Sequence, residues 1–415
     1  VNRQPVLVYV SGEGWDDIAG TNRHLAEALA RIRPVLWVDP AVSVAGRIRQ
    51  RRAGVRPTPT GLSNPAPGLT RLHVAGPPGL TRPILSTLSE RHVATEIDLA
   101  LRRLDAFCDG VVLTSPILRF PPVLDRRRLL YVTDDWMSGA HMMGFDTAMV
   151  RRAMSHNAFN AQAVAAVTPS LAAKVAELIV PAPTVQVLPN GCEPMTDNHR
   201  IPVDLPPGPL VALVGQLNER LDYDVLERVA HSGVTVVMIG PRTERTRAVS
   251  RRLDTLFAMP TVHWVGSVPA ADLPSYLDRM TLGITPYADN DFNRSSFPLK
   301  TLEYLSHGLP VVATDLPAAR WLGTPHIDIA TSPAEFAELV VRRVASAPDR
   351  HEIDRKRFAR LHSWDERAAS LLKLIDPREP RRRPVTPEGR ADLPTVDSAL
   401  GVAVATQEEA DRSHA

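Results

Sequence analysis

The chain has 415 residues, 44% of them hydrophobic and 23% charged, the profile of a globular protein with material for two or three domains. Its 48 Lys and Arg nearly cancel its 46 Asp and Glu, leaving a formal charge of +2, which argues against a nucleic-acid binder driven by bulk charge. Two cysteines, Cys108 and Cys192, are too few for a disulfide framework or a Cys-rich zinc site.

The apolar opening, residues 6–10, runs straight into Gly-Glu-Gly-Trp-Asp-Asp, too short and too acidic for a signal peptide. No apolar run reaches the roughly 18–20 residues that span a bilayer. Together these features predict a cytoplasmic chain, at most peripheral at the inner face of the cell membrane. Short Val- and Ile-rich runs then alternate with longer helical patterns, which predicts α/β architecture with parallel sheets. In the first half, strands are expected at 5–11, 35–38, 69–74, 110–114, 129–133, 163–168 and 184–188. Helices are expected at 22–31 and 85–107, and Ser170 reads as the N-cap of a helix over 171–178. Residues 45–68 read as a stretch of low order. It carries Arg47, Arg49, Arg51, Arg52 and Arg56, either a solvated loop or a contact for lipid headgroups or a phosphate-bearing acceptor.

A second series follows the turn Pro189-Asn190-Gly191, with strands expected at 209–215, 234–239, 262–265, 282–286, 311–314 and 326–330. These runs are almost continuously apolar, as strands covered on both faces are. The organisation expected is a doubly wound domain over 1–190, a linker over 191–208 and a second doubly wound domain over 209–360. A helix within 361–376 would pack back on the first domain, and 377–415 reads as a disordered tail.

The densest chemical signal is the run from Ser295 to Thr314. Ser296 can cap a helix and Pro298 suits its first turn, whereas Gly308 and Pro310 end it. Lys300, Glu303, Tyr304 and His307 then follow i, i+3, i+4, i+7 along one face. A helix start at a strand's carboxyl end is a natural anion site, and Lys300 adds a full charge. Glu303, one turn on, can accept hydrogen bonds from the vicinal hydroxyls of a ribose. The spacing alone leaves two readings open: a nucleoside-diphosphate grip, or a Lys–Glu pair on a solvated face worth about 0.3 kcal/mol.

Residues 298–312, Pro-Leu-Lys-x-x-Glu-Tyr-Leu-x-x-Gly-x-Pro-Val-Val, resemble position by position the nucleotide-sugar signature of GT-B glycosyltransferases of the GT4-like group. They are most similar to bacterial enzymes of the teichuronic-acid and exopolysaccharide type. Supporting segments are Trp15-Asp16-Asp17 with Arg23-His24, Val38-Asp39-Pro40, residues 131–136, Leu188-Pro189-Asn190-Gly191, Val214-Gly215-Gln216-Leu217 and Ser363-Trp364. The resemblance implies the GT-B fold, two Rossmann-like doubly wound domains facing across a cleft, the first for the acceptor and the second for the donor. It implies a metal-independent hexosyltransferase-type enzyme moving a sugar from a UDP- or GDP-linked donor to a hydroxyl of a surface polysaccharide or glycolipid precursor. No cofactor and no nucleic-acid partner are expected.

The implied donor residues are Gly215, Ser295, Ser296, Pro298, Leu299, Lys300 and Glu303, with Arg220 as a second cation and Arg294 as its rival. Two departures stand out. The family's first Glu falls on Ser295, and an Arg expected after Gly215 is Gln216, which leaves retention or inversion open. For an inverting reaction a first-domain base is needed, with Asp135 expected first, then Asp134, with Asp16, Asp17 and His24 as further candidates. Asp289-Asn290-Asp291 spells a metal-binding motif of another fold, but in this loop it reads as polar surface. Two other functions fit the same fold: a nucleotide-sugar epimerase, or a non-catalytic nucleotide-binding subunit of a glycan synthase complex.

Overall fold

A computed structural model describes residues 3–17, 19–43, 52, 59–76, 83–121, 127–178, 184–193, 201–346 and 350–375. The expected tail 377–415, residues 194–200 of the expected linker, and Arg47, Arg49, Arg51 and Arg56 lie outside the described residues. Sixteen strands are described. They are β1 (Gln4–Ser11), β2 (Val35–Val38), β3 (Val42–Ser43), β4 (Gly61–Ala66), β5 (Leu69–His73), β6 (Ala75–Gly76), β7 (Ala106–Thr114), β8 (Arg128–Val132), β9 (Ala163–Ala166), β10 (Val185–Val187), β11 (Leu210–Val214), β12 (Thr235–Ile239), β13 (Val262–Gly266), β14 (Leu282–Thr285), β15 (Val311–Thr314) and β16 (Ile327–Ala330).

The first sheet runs β10-β9-β8-β7-β1-β2-β5-β4 and the second β13-β12-β11-β14-β15-β16. Pairing is parallel throughout, except at the antiparallel edge strand β4. Each series starts mid-sheet, winds outward to one side, and returns to continue on the other. The order therefore reverses beside β1 and again beside β11, and in such sheets ligands bind in the crevice outside the strands' carboxyl ends at that point. The central strands bury every side chain, as in β2 and β11, because helices cover both faces.

Several expected boundaries shift for local reasons. Residues 61–66 form β4 rather than low-order chain, paired to β5 through Leu62 and Leu72. The long helix Pro83–Arg103 ends earlier than expected, and β7 already begins at Ala106 beside Gln4. Thr168, not Ser170, caps the helix Pro169–Glu177: its hydroxyl accepts from Leu171 N at 3.2 Å, and Pro169 fills the first turn.

The helix Trp364–Ile375 lies against Thr21–Ile32 of the first domain, with Leu371 and Ile375 buried and Arg31 paired to Asp365 at 2.7 Å. The chain therefore passes between the domains twice. The two passages touch: Cys192 N donates to His362 O at 2.9 Å and Trp364 N donates to Cys192 O at 3.2 Å. Among the described residues no helix is long and apolar enough to cross a membrane.

Candidate functional site in the interdomain cleft

A cavity of about 680 Å³ opens where the carboxyl ends of the two sheets face each other. The helix Leu299–Ser306 presents Lys300 and Glu303 to it, with Lys300 Nζ 2.6 Å from Glu303 Oε2 and each side chain under a quarter exposed. The pair is thus neither core nor fully solvated face. His307 also lines the cavity, but Tyr304 leaves the expected stripe. Its ring fills the space above Gly283, where a Cβ would meet it at 2.3 Å, and its hydroxyl accepts from Val214 N at 2.8 Å. At the margin of a helical stripe, the slot left by a glycine in the neighbouring strand decides which way a side chain goes.

Ser296 does not cap this helix. It ends the preceding helix Asp291–Ser295, with its hydroxyl donating to Phe292 O at 2.9 Å, and Pro298 takes the N-cap position with no side-chain cap. Leu299 lies on the cavity wall, while Pro298 and Ser296 line a narrow recess beside it. Ser295 is fully buried in the seam between domains: Thr168 Oγ1 donates to its carbonyl at 2.7 Å. It is not among the residues that line the cavity.

At the end of β11 the chain turns at Gly215, φ +138°, an angle that favours glycine. Gly240 at the end of β12 has φ +146°, and a Cβ there would sit 1.9 Å from Gly215 O, so these two strand ends close only without side chains. Gln216 lines the cavity and accepts from Thr243 Oγ1. Arg220 reaches the same space, its guanidinium 4.9 Å above the Phe292 ring and 5.2 Å above Tyr287, with Nε donating to Asn293 at 3.1 Å. Arg294 is turned to solvent in a two-toothed pair with Asp289 at 2.5 and 2.7 Å. Asn290 meanwhile caps the following helix through Asn293 N. The Asp-Asn-Asp sequence is therefore spent on an ion pair and a cap. Among the described residues no three His, Cys, Asp or Glu side chains gather as metal ligands.

The opposite wall comes from the first domain. Asp134 and Thr133, just beyond β8, line the cavity, whereas Asp135 does not. Asp135 is 2% exposed and accepts from Lys174 Nζ at 2.7 Å and from Ser138 N and Oγ at 3.0 and 2.8 Å. Burial alone would raise its pKa, but these donors hold it below the ordinary value. Its oxygens are committed to shaping the turn. Asp134 behaves oppositely: burial and then the neighbouring Asp135 raise its pKa, against the pull of Arg220 across the cleft. We expect Asp135→Ala to lower stability by about 2 kcal/mol through the lost buried acceptor while leaving nucleotide affinity within about twofold, checked by thermal melts and calorimetry.

His24 also lines the cavity and stacks on Trp364 at 5.6 Å, with interplanar angle 15°. Burial lowers its pKa, against the opposing effects of Glu303 and Glu27. Asp16 and Asp17 are drawn into the loop itself, Asp16 by Arg71 at 2.8 Å and Asp17 by Gly14 N at 2.7 Å. Sequence reasoning passed over the side chain of Glu13, which lines the cavity between Gly12 and Gly14. Glu13 is exposed to the solvent of the open cleft, yet crowding by the cavity walls, then Asp134 and Asp17, push its pKa up to about 7 against the opposing hydrogen bond from Asn22. The available signal was its place directly after β1, at the carboxyl edge of the sheet.

Two doubly wound domains with such a cleft define the GT-B fold, and the solved structures agree. Sucrose-phosphate synthase of Thermosynechococcus elongatus superposes with a TM-score of 0.65 at 16% identity, over 90% of this chain and 98% of that one. HepE of Anabaena, solved with UDP-glucose, gives 0.61 at 13% over 89% and 99%. The E. coli trehalose-6-phosphate protein with bound UDP-2-fluoro glucose gives 0.63 at 12% over 91% and 100%. Residues 208–346, about a third of the chain, match the family described as glycosyl transferases group 1, on a chain that has the GT-B fold. The Bacillus subtilis (strain 168) protein TuaH, named for teichuronic acid biosynthesis as a glycosyltransferase, is 28% identical over 122 residues. That stretch is 29% of this chain and 30% of TuaH, so the match spans under a third of the curated relative.

Proposed function

We propose that the protein is a glycosyltransferase that moves a sugar from a nucleotide-linked donor to a hydroxyl of a surface-polysaccharide or lipid-linked glycan precursor. The observation that carries this reading is the Lys300–Glu303 pair on the cavity wall, with Arg220 on the same wall and the open backbone of Gly215 between the strand ends. On binding, Lys300 exchanges its carboxylate partner for a phosphate oxygen, which frees Glu303 for the ribose hydroxyls. Arg220 supplies the second positive charge as negative charge develops on the leaving diphosphate, an electrostatic effect strongest where water is excluded. Cation chemistry is thus supplied by side chains, and we expect turnover to persist in EDTA.

In this reading the base lies against Gly240, Pro241, Ser267, Val268, Leu273 and Leu277, which line the second-domain side of the cavity. None of these six described residues is a carboxylate that could pair with the N1 and N2 hydrogens of guanine, which supports uracil, the base in the ligands of HepE and of the E. coli protein. Titration calorimetry tests the reading: UDP is expected to bind at least tenfold tighter than GDP, and UDP-glucose to release UDP. Failure of both nucleotides to bind would overturn it, and binding with no release would leave a nucleotide-binding subunit. Arg47 to Arg56 would bring the enzyme to an anionic lipid surface, which cosedimentation with phosphatidylglycerol vesicles checks directly.

A further inference from the structure

We propose that Glu13 is the proton acceptor of the reaction, the group that takes the hydroxyl hydrogen of the incoming acceptor. The inference rests on the glycosyl-transfer reading above and adds to it a residue on the other domain. Three features of the geometry favour Glu13 over Asp135, the carboxylate expected from the sequence. It lines the cavity, which Asp135 does not. It retains oxygen lone pairs for a ligand, since its one side-chain hydrogen bond is from Asn22 Nδ2 to Oε2 at 3.1 Å.

Finally, it is placed by buried structure. Asn22, 2% exposed, is fixed in turn by the Tyr9 hydroxyl at 3.1 Å, and Glu13 N donates to Ser11 Oγ at 3.0 Å. The preceding Gly12 presses on β7, where a Cβ would stand 2.9 Å from Thr114 O. The loop therefore holds one position, and the carboxylate of its tip residue is directed by a chain of side chains that starts in the sheet.

The step balances without a further reagent. The acceptor oxygen forms its bond to the anomeric carbon as the bond from that carbon to the diphosphate oxygen breaks. The electron pair leaves on the diphosphate, opposite Lys300 and Arg220, and the hydroxyl proton passes to Glu13. From there it returns to solvent through the cleft. Asp134 and Asp17 face Glu13 as like charges and Tyr9 lies behind it, while Asn22 donates to it. Such surroundings put a carboxyl near neutrality, where a general base is most effective. The competing acceptor of the proton is the leaving diphosphate oxygen itself, and in that case Glu13 is dispensable.

The test uses the full chain and UDP-glucose, with water as the acceptor and UDP release as the signal. Glu13→Gln is expected to lower kcat by about 10²-fold or more, the usual contribution of a positioned base, while UDP affinity stays within about twofold. The wild-type rate should rise with pH through about 7, and this limb should vanish in the variant. Equal rates and equal pH profiles in the two proteins would overturn the proposal.

A second measurement does not need turnover. The carboxyl's pKa is raised from 4.5 unfolded to about 7 folded, so as pH rises between those values the unfolded chain ionises first. Stability is lost across that window and levels off above it. Melting temperatures of wild type should fall relative to Glu13→Gln from pH 4.5 to 7. Parallel curves would likewise overturn the assignment. Loss of UDP binding by the wild type would instead strike at Lys300 and Glu303, and would remove the reaction that Glu13 serves.

Discussion

Glu303→Ala is expected to weaken UDP binding by roughly 30- to 500-fold, because it deletes two charge-assisted hydrogen bonds to a ribose worth about 1.5–3 kcal/mol each before the gain from freeing Lys300. The variant carries an internal control. Wild type should prefer UDP over 2′-deoxy-UDP, and Glu303→Ala should bind the two alike, since the missing hydroxyl then has no partner to lose. Calorimetry on the four combinations reads this as a coupling rather than a bare loss. If Glu303→Ala binds UDP as the wild type does, the ribose lies elsewhere, and the Lys300–Glu303 pair is only a helix-face ion pair.

The second large effect lies away from the nucleotide. Asp39 is 2% exposed and accepts from Arg71 Nε at 2.6 Å, Trp37 Nε1 at 2.8 Å and Trp15 N at 3.0 Å, with His73 Nδ1 also at 3.0 Å. Burial would raise its pKa, but these partners together hold it below the ordinary value. Asp39→Ala leaves the buried Arg71 with Asp16 as its remaining carboxylate and strands the Trp37 and Trp15 donors, which together costs about 3–5 kcal/mol. We expect a fall of roughly 10 °C in melting temperature. The same cluster anchors the loop that carries Glu13, through Trp15 and through Asp16 on Arg71. Turnover should therefore drop further than UDP affinity even at temperatures where Asp39→Ala stays folded. Equal losses of both would detach the cluster from catalysis.

The two-domain design was legible because strands buried on both faces read as unbroken apolar runs, and because β11 to β16 are short and separated by helix-length stretches. Lys300 and Glu303 were legible for a related reason: both lie on one eight-residue helix, so their relative placement is a local property. What escaped was set by distant contacts. Whether Asp134 or Asp135 faces the cleft depends on Lys174, 39 residues on, which claims the second. That Ser295 is buried away from the cavity wall is set by Thr168 of the other domain, whose hydroxyl donates to its carbonyl. Glu13 gains its properties from Asn22 and Asp134, which no local pattern around Gly12 and Gly14 encodes.

The double passage of the backbone has a mechanical meaning. Two bodies tethered by a single flexible segment can twist, slide and separate. Two bodies stitched by a pair of strands that are themselves hydrogen-bonded, at Cys192 and at Trp364, retain chiefly one swing, about a line through that seam. Trp364 lies at this seam and stacks on His24, so the seam and the wall of the cleft share a residue. A swing about that line would carry Glu13 toward Lys300 along a fixed arc, so that in the transfer proposed above the alignment of donor and acceptor would be inherited from the axle rather than found anew in each cycle.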